Sequence, residues 1–335
     1  MNQLCERAGR RRGRAPARLL GAAAAATLLG AGLAAAPASA LTINVTQSSL
    51  SLAGPASGSG SGTLLGLAQA AATVWEAALD DGGAGTVVNI AVAWRDISSL
   101  GATVASTSPT AGPGMIGMVN ERQVLLDADA AFGWYLDPTP YDVTGDYATI
   151  AEVSTVAGAP GGSLEAGRRH EGATGEAAGR YDAFTVLLHE FAHALGFGGF
   201  GDGSVTIVEP GTSNEYEVPL VDDGGGHIRE NLPGTGAADL NSAYNDSLLY
   251  TSIGRDLRIL PSQVDVLTVA EIVGYQLGLS GAGVGAELSS GAFGASAVPL
   301  PAAGGLLAAG LAILGAARRR SGPGRQAREQ ALQRA

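Results

Sequence analysis

Hydrophobic and polar residues alternate at the start of residues 41–52, with Leu41, Ile43 and Val45 on one face, and this period of two predicts a β-strand. A Gly/Ser-rich loop over residues 54–62 separates it from Leu64–Leu79, LLGLAQAAATVWEAAL, where the spacing becomes helical and stops at Asp80-Asp81-Gly82-Gly83. Thr86–Ile97, TVVNIAVAWRDI, predicts a strong strand, and shorter strands are expected at Ala102–Ser106 and Gln123–Ala128. Gly158–Arg180 is rich in glycine and charge and predicts a loop. Helical spacing returns in Tyr181–Gly196, YDAFTVLLHEFAHALG, where Phe184, Leu188, Phe191 and Leu195 mark a core-facing stripe and glycine ends the run. Strands are expected next at Val205–Val208 and Glu215–Val221, then a turn cluster at Asp222–Gly226, and a last helix over Gln263–Gln276. There is no internal repeat. This order of elements predicts an α+β fold in which a twisted mixed sheet backs the 181–196 helix, with an irregular C-terminal subdomain ending in a helix.

Both ends of the 335-residue chain differ in composition from the middle. Residues 1–40 combine an arginine cluster (Arg7, Arg10, Arg11, Arg12, Arg14, Arg18), an apolar run from Leu19 to Ala36 and Ala38-Ser39-Ala40, which predicts a secretory signal peptide cut after Ala40. A globular domain is expected over 41–280 and a Gly/Ala/Ser-rich linker over 281–297. Residues 298–320 read VPLPAAGGLLAAGLAILGAARRR, a short apolar helix followed by three arginines that would stay on the cytoplasmic side; 321–335 form a basic tail. This segment resembles the VPLPA-type C-terminal sorting signals of bacterial exosortase systems. The resemblance implies transient anchoring in the inner membrane through the C-terminal helix, an exosortase-type sorting partner, and a product that is secreted or held at the cell surface.

The chain has one cysteine, Cys5, inside the segment expected to be removed, so neither disulfides nor thiol ligands are expected in the mature protein. It has no lysine, and between Leu41 and Ala297 eight arginines face 29 acidic residues, a net charge of −21. Such a surface repels nucleic acid, which is excluded as a partner. It is also compatible with bound calcium, for which the sequence assigns no site.

His189-Glu190-Phe191-Ala192-His193 carries the chemistry. His189 and His193 are i, i+4 neighbours, so both imidazoles leave one side of the helix and can grip a single zinc ion, with Glu190 beside the metal's water. A catalytic zinc needs a third protein ligand and one open position. The short extended motif would put a histidine at 199, which is glycine. Two routes remain. One is His227, reached through three glycines that let the backbone turn its imidazole; the other is a glutamate, with Glu209, Glu215 and Glu217 within range.

Together HEFAHALGF, GGGHIRENL, DSLLY and LTVAEIVGY resemble, in that order, the motifs of leishmanolysin-like metallopeptidases of the metzincin group, over roughly Asp182–Tyr275. The resemblance implies a zincin-like metallopeptidase domain with His189, His193 and His227 as ligands of one catalytic zinc, and Glu190 as the base. Substrates would be proteins or peptides. The methionine found beneath the metal in that group is replaced here by Leu249, which can fill the same apolar floor. Tyr250 follows it, where a tyrosine could bond an oxyanion or simply pack. His170, in GRRHEGATG, is expected at the surface. The expected function is a secreted zinc endopeptidase. The alternative is a non-catalytic matrix or surface protein that binds through the same fold, against which the intact Glu190 argues.

Overall fold

The computed structural model describes residues 41–97, 105–108, 122–128, 133–148, 151–221, 223, 226–230, 242–278 and 281–290. The segments expected to be a signal peptide, a sorting signal and a tail lie outside them, and no helix among the described residues is long and apolar enough to cross a membrane.

Strand β1 (Thr42–Gln47) leads to helix α1 (Leu64–Ala78), the two-residue β2 (Leu79–Asp80), β3 (Val87–Arg95), β4 (Ala105–Ser108), β5 (Arg122–Asp127) and β6 (Trp134–Tyr135). A hairpin of β7 (Glu152–Ala157) and β8 (Ser163–His170) follows, then β9 (Tyr181–Asp182) and α2 (Ala183–Leu195). The last part holds β10 (Gly203–Val208), β11 (Glu215–Val221), β12 (His227–Ile228), β13 (Arg258–Leu260), α3 (Gln263–Val273), β14 (Gln276–Leu277) and α4 (Val284–Ser289). The fold is α+β. Its four-stranded sheet has the order β1-β3-β5-β4, with β1, β3 and β5 parallel and β4 antiparallel along one edge. That is the mixed sheet expected from the strand pattern.

Helix α2 lies between α1, the β4–β5 side of the sheet, and β13. Twelve of its thirteen residues are buried, so the amphipathic stripe seen in the sequence understates its enclosure. Asp182 caps its N-terminus, accepting from the Thr185 amide at 3.1 Å and the Thr185 hydroxyl at 2.7 Å. Gly196 ends it at φ 118°, a left-handed conformation that costs glycine nothing. Trp75 of α1 is fully buried and donates its indole N–H to the Leu188 carbonyl at 3.0 Å, fixing the two helices in register. Arg122, at the start of β5, donates to the His193 and Ala194 carbonyls, a cation at the C-terminal end of α2.

Three expectations need correction. Gly158–Arg180 is not all loop, because β8 runs through it as the central strand of a β13-β8-β7 sheet. His170, expected at the surface, is the last residue of β8 and fully buried; its Nδ1 lies 2.7 Å from the Ala148 carbonyl oxygen. Its flanking charges hid a strand in which Leu164, Ala166 and His170 face inward. Residues 281–289, expected in the linker, coil instead into a 3₁₀ turn and α4, and bury Val284 and Leu288 in the core.

Arg258 of β13 is the most deeply buried cation among the described residues. Its Nε and Nη2 grip both oxygens of Asp182 at 2.8 and 2.9 Å, and Nη2 also lies 2.8 Å from Asp137 Oδ2. All three side chains are fully inaccessible. Burial works against the guanidinium's charge, but Asp182 and Asp137 outweigh it and raise its pKa. Since Asp182 is also the α2 cap, this cluster ties α2 to β13. Replacing Arg258 with alanine strands two buried carboxylates, and the expected loss is about 3–5 kcal/mol of unfolding free energy in urea titration.

Candidate metal centre

Helix α2 sets His189 and His193 one turn apart, with their Nε2 atoms 3.1 Å from each other. His227 joins them as the first residue of β12. Its ring lies 5.2 Å from that of His189 and 5.0 Å from that of His193, centre to centre. One ligand atom from each of the three falls within 4.8 Å of the others, and among the described residues no further group of histidines and acids converges in this way. The turn into His227 depends on Gly226. It sits at φ 80°, and a side-chain carbon there would press to 2.8 Å from the Phe200 ring.

Each Nδ1 already has an acceptor. His189 Nδ1 faces the Leu248 carbonyl at 2.7 Å, His193 Nδ1 the Phe197 carbonyl at 2.7 Å, and His227 Nδ1 the Asp223 carboxylate at 2.6 Å. A carbonyl or carboxylate needs a donor, so each ring carries a proton on Nδ1, and Nε2 is the nitrogen a metal would take. Burial, then the neighbouring imidazoles, hold the pKa of His189 well below the ordinary histidine value. For His193, burial and the charge of His227 bring it to about 4. Two unprotonated Nε2 atoms 3.1 Å apart repel each other unless a cation lies beside both. The donor set therefore fits a divalent metal. Asp223 completes the outer support: burial pushes its pKa up, but the hydrogen bond and charge of His227 prevail and hold it below the usual carboxylate value.

The carbonyl that orients His189 belongs to a tight turn, in which the Tyr250 amide bonds the Ser247 carbonyl at 3.2 Å. The fully buried Asp265 of α3 holds that turn. Its carboxylate accepts from Ser247 Oγ at 2.5 Å and from the Leu248 and Leu249 amides, each at 3.2 Å. Burial raises the Asp265 pKa, and these bonds oppose it. Ser262 and Asp265 also form the capping box of α3, so one side chain starts that helix and fixes the turn. Leu249 is fully buried in this turn.

Glu190 is buried between the two α2 histidines in sequence, and burial raises its pKa to about 7 against the opposing hydrogen bond of Thr107. Thr107, on the edge strand β4, donates its hydroxyl to Glu190 Oε2 at 2.5 Å. The other residues singled out in the sequence take no part in the cluster. Glu209 Oε2 binds Asn214, Glu217 pairs with Ser204, and Glu215 lies at the exposed start of β11. The Tyr250 hydroxyl donates to Glu230 at 2.9 Å. Of the four supporting groups missed in the sequence, only Asp223 left a signal, an acid one helical turn's spacing before a histidine. Thr107, Phe197 and Leu248 contribute through folding alone.

Replacing His227 with alanine is expected to abolish tight Zn²⁺ binding in a competition titration, while Glu215→Gln and Glu217→Gln bind as wild type. Asp223→Ala is expected to weaken binding roughly 10–100-fold, because His227 loses its acceptor but keeps its ring nitrogens.

Comparison with known proteins finds no matching family model, no matching curated protein and no matching solved structure.

Proposed function

We propose that this chain is an exported zinc-dependent endopeptidase with a zincin-like domain. The observation that carries the reading is the convergence of three imidazoles, each braced through Nδ1, with a buried glutamate adjacent in sequence to one of them. His189, His193 and His227 would hold the ion. Nitrogen ligands of this kind and number suit zinc and leave one coordination position open. A zinc ion bound here supplies Lewis acidity, lowering the pKa of a water from 15.7 to about 7 and polarising a carbonyl.

Glu190 takes the proton of the attacking water through its carboxylate and passes it to the departing amine nitrogen. Burial raises its pKa above the ordinary glutamate value against the Thr107 hydrogen bond, the direction that favours taking up a proton. The buried setting keeps bulk water from competing for that proton. The zincin reading is supported by the antiparallel edge strand β4 beside the metal helix, by the long excursion from His193 to His227, and by the Asp265-held turn under His189. Calcium keeps no assigned place. Export by the N-terminal segment and sorting by an exosortase-type partner rest on the sequence of the two ends.

The test is hydrolysis of an unfolded protein by the purified protein, with and without a zinc chelator. Cleavage should be lost on chelation and restored by zinc. Glu190→Gln should keep zinc yet lose ~10²–10⁴-fold in kcat, since only the base is removed. Equal cleavage by Glu190→Gln would remove Glu190 from the mechanism. A folded, zinc-loaded wild-type protein that cleaves no peptide bond would sink the peptidase reading.

A further inference from the structure

Glu190 has two carboxylate oxygens, and among the described residues only Thr107 donates a hydrogen bond to either of them. The two residues are 83 positions apart, and β4 brings them together. Thr107 Oγ1 has one proton and two acceptors within reach: Glu190 Oε2 at 2.5 Å and the Glu190 backbone carbonyl at 3.0 Å. The shorter distance falls in the range of a hydroxyl bound to an ionised carboxylate, so the side chain is the preferred acceptor. Threonine suits the place. Its branched side chain is stiff about χ1 and favours a strand, so β4 sets the direction of the hydroxyl.

From this contact we infer that Thr107 is the positioning residue for Glu190. Its hydroxyl anchors Oε2 and leaves Oε1 as the oxygen free to meet the reacting water. A glutamate side chain has three rotatable bonds, and the helix fixes only its root. A buried carboxylate with one donor is thus aimed by that donor. The alternative is a threonine that merely satisfies a buried acid and packs its methyl group. The inference rests on the metallopeptidase reading for its catalytic consequence, but the contact itself can be tested without metal.

Three variants decide it. Thr107→Val removes the hydroxyl at nearly constant shape, Thr107→Ser keeps the hydroxyl and removes the methyl, and Glu190→Ala removes the acceptor. In the full-length zinc protein, Thr107→Val is expected to lower kcat roughly 10–100-fold, as a displaced catalytic group does. KM should stay within about twofold and zinc affinity should not change, because neither ligands nor uniform binding are touched. Thr107→Ser should recover most of kcat. In the zinc-free protein, urea midpoints of Thr107→Val, Glu190→Ala and the double variant should be non-additive, since either single change already breaks the bond. A Thr107→Val protein with wild-type kcat overturns the inference, as does a Thr107→Ser protein as slow as Thr107→Val, which would assign the effect to packing. If the wild type itself cleaves nothing, the metallopeptidase reading fails, and the zinc-free cycle still decides the contact: additive midpoints overturn it and non-additive ones sustain it.

Discussion

Helix α2 is enclosed on nearly every side, and that enclosure sets the terms for the whole site. A buried helix is ordinarily apolar all round, because each polar group taken from water must find a partner inside. This one carries two imidazoles and a carboxylate into the core. Each is matched by a group from a different part of the chain: Leu248 for His189, Phe197 for His193, Thr107 for Glu190. The surrounding elements are placed so that these partners arrive. Trp75 fixes α1 against the helix, Arg122 meets its C-terminal carbonyls, and Arg258 secures the cap at its start.

The supports differ in stiffness. The Phe197 carbonyl follows directly from the glycine stop of α2, so His193 is oriented by the local backbone. His189 depends on a turn 59 residues away, held by a carboxylate bonded only to neutral donors. His227 depends on Asp223, at the edge of the protein and partly open to water. The three clustered imidazoles are therefore backed, in order, by the helix end, the buried turn and a surface acid. The last is the most easily perturbed, because water can replace Asp223 as an acceptor where it cannot replace Leu248.

Much of this was legible in the sequence, and the physical reasons are specific. The helical spacing of Phe184, Leu188, Phe191 and Leu195 and the Gly196 stop define α2 to within two residues. The i, i+4 histidines meet because 3.6 residues complete a turn. His227 could be named because glycines precede it, and Gly226 does adopt a left-handed turn. What could not be read was anything requiring the strand order. Thr107 reaches Glu190 only because β4 lies on the sheet edge beside α2, which no local pattern encodes. The β7–β8 hairpin was missed because its inward positions alternate with arginines and glutamates that resemble a solvated loop. The burial of His170 was missed with it.

The cap of α2 has a consequence in time as well as in space. Asp137, Asp182 and Arg258 are spread across 122 residues, and the helix start is electrostatically complete only when all three have met. Until Arg258 is in place, Asp182 would have to hold its charge in the core beside Asp137, with repulsion where the finished protein has attraction. His189 and His193 therefore precede in the chain, by 65 residues or more, a group that completes the charge balance at the start of their own helix.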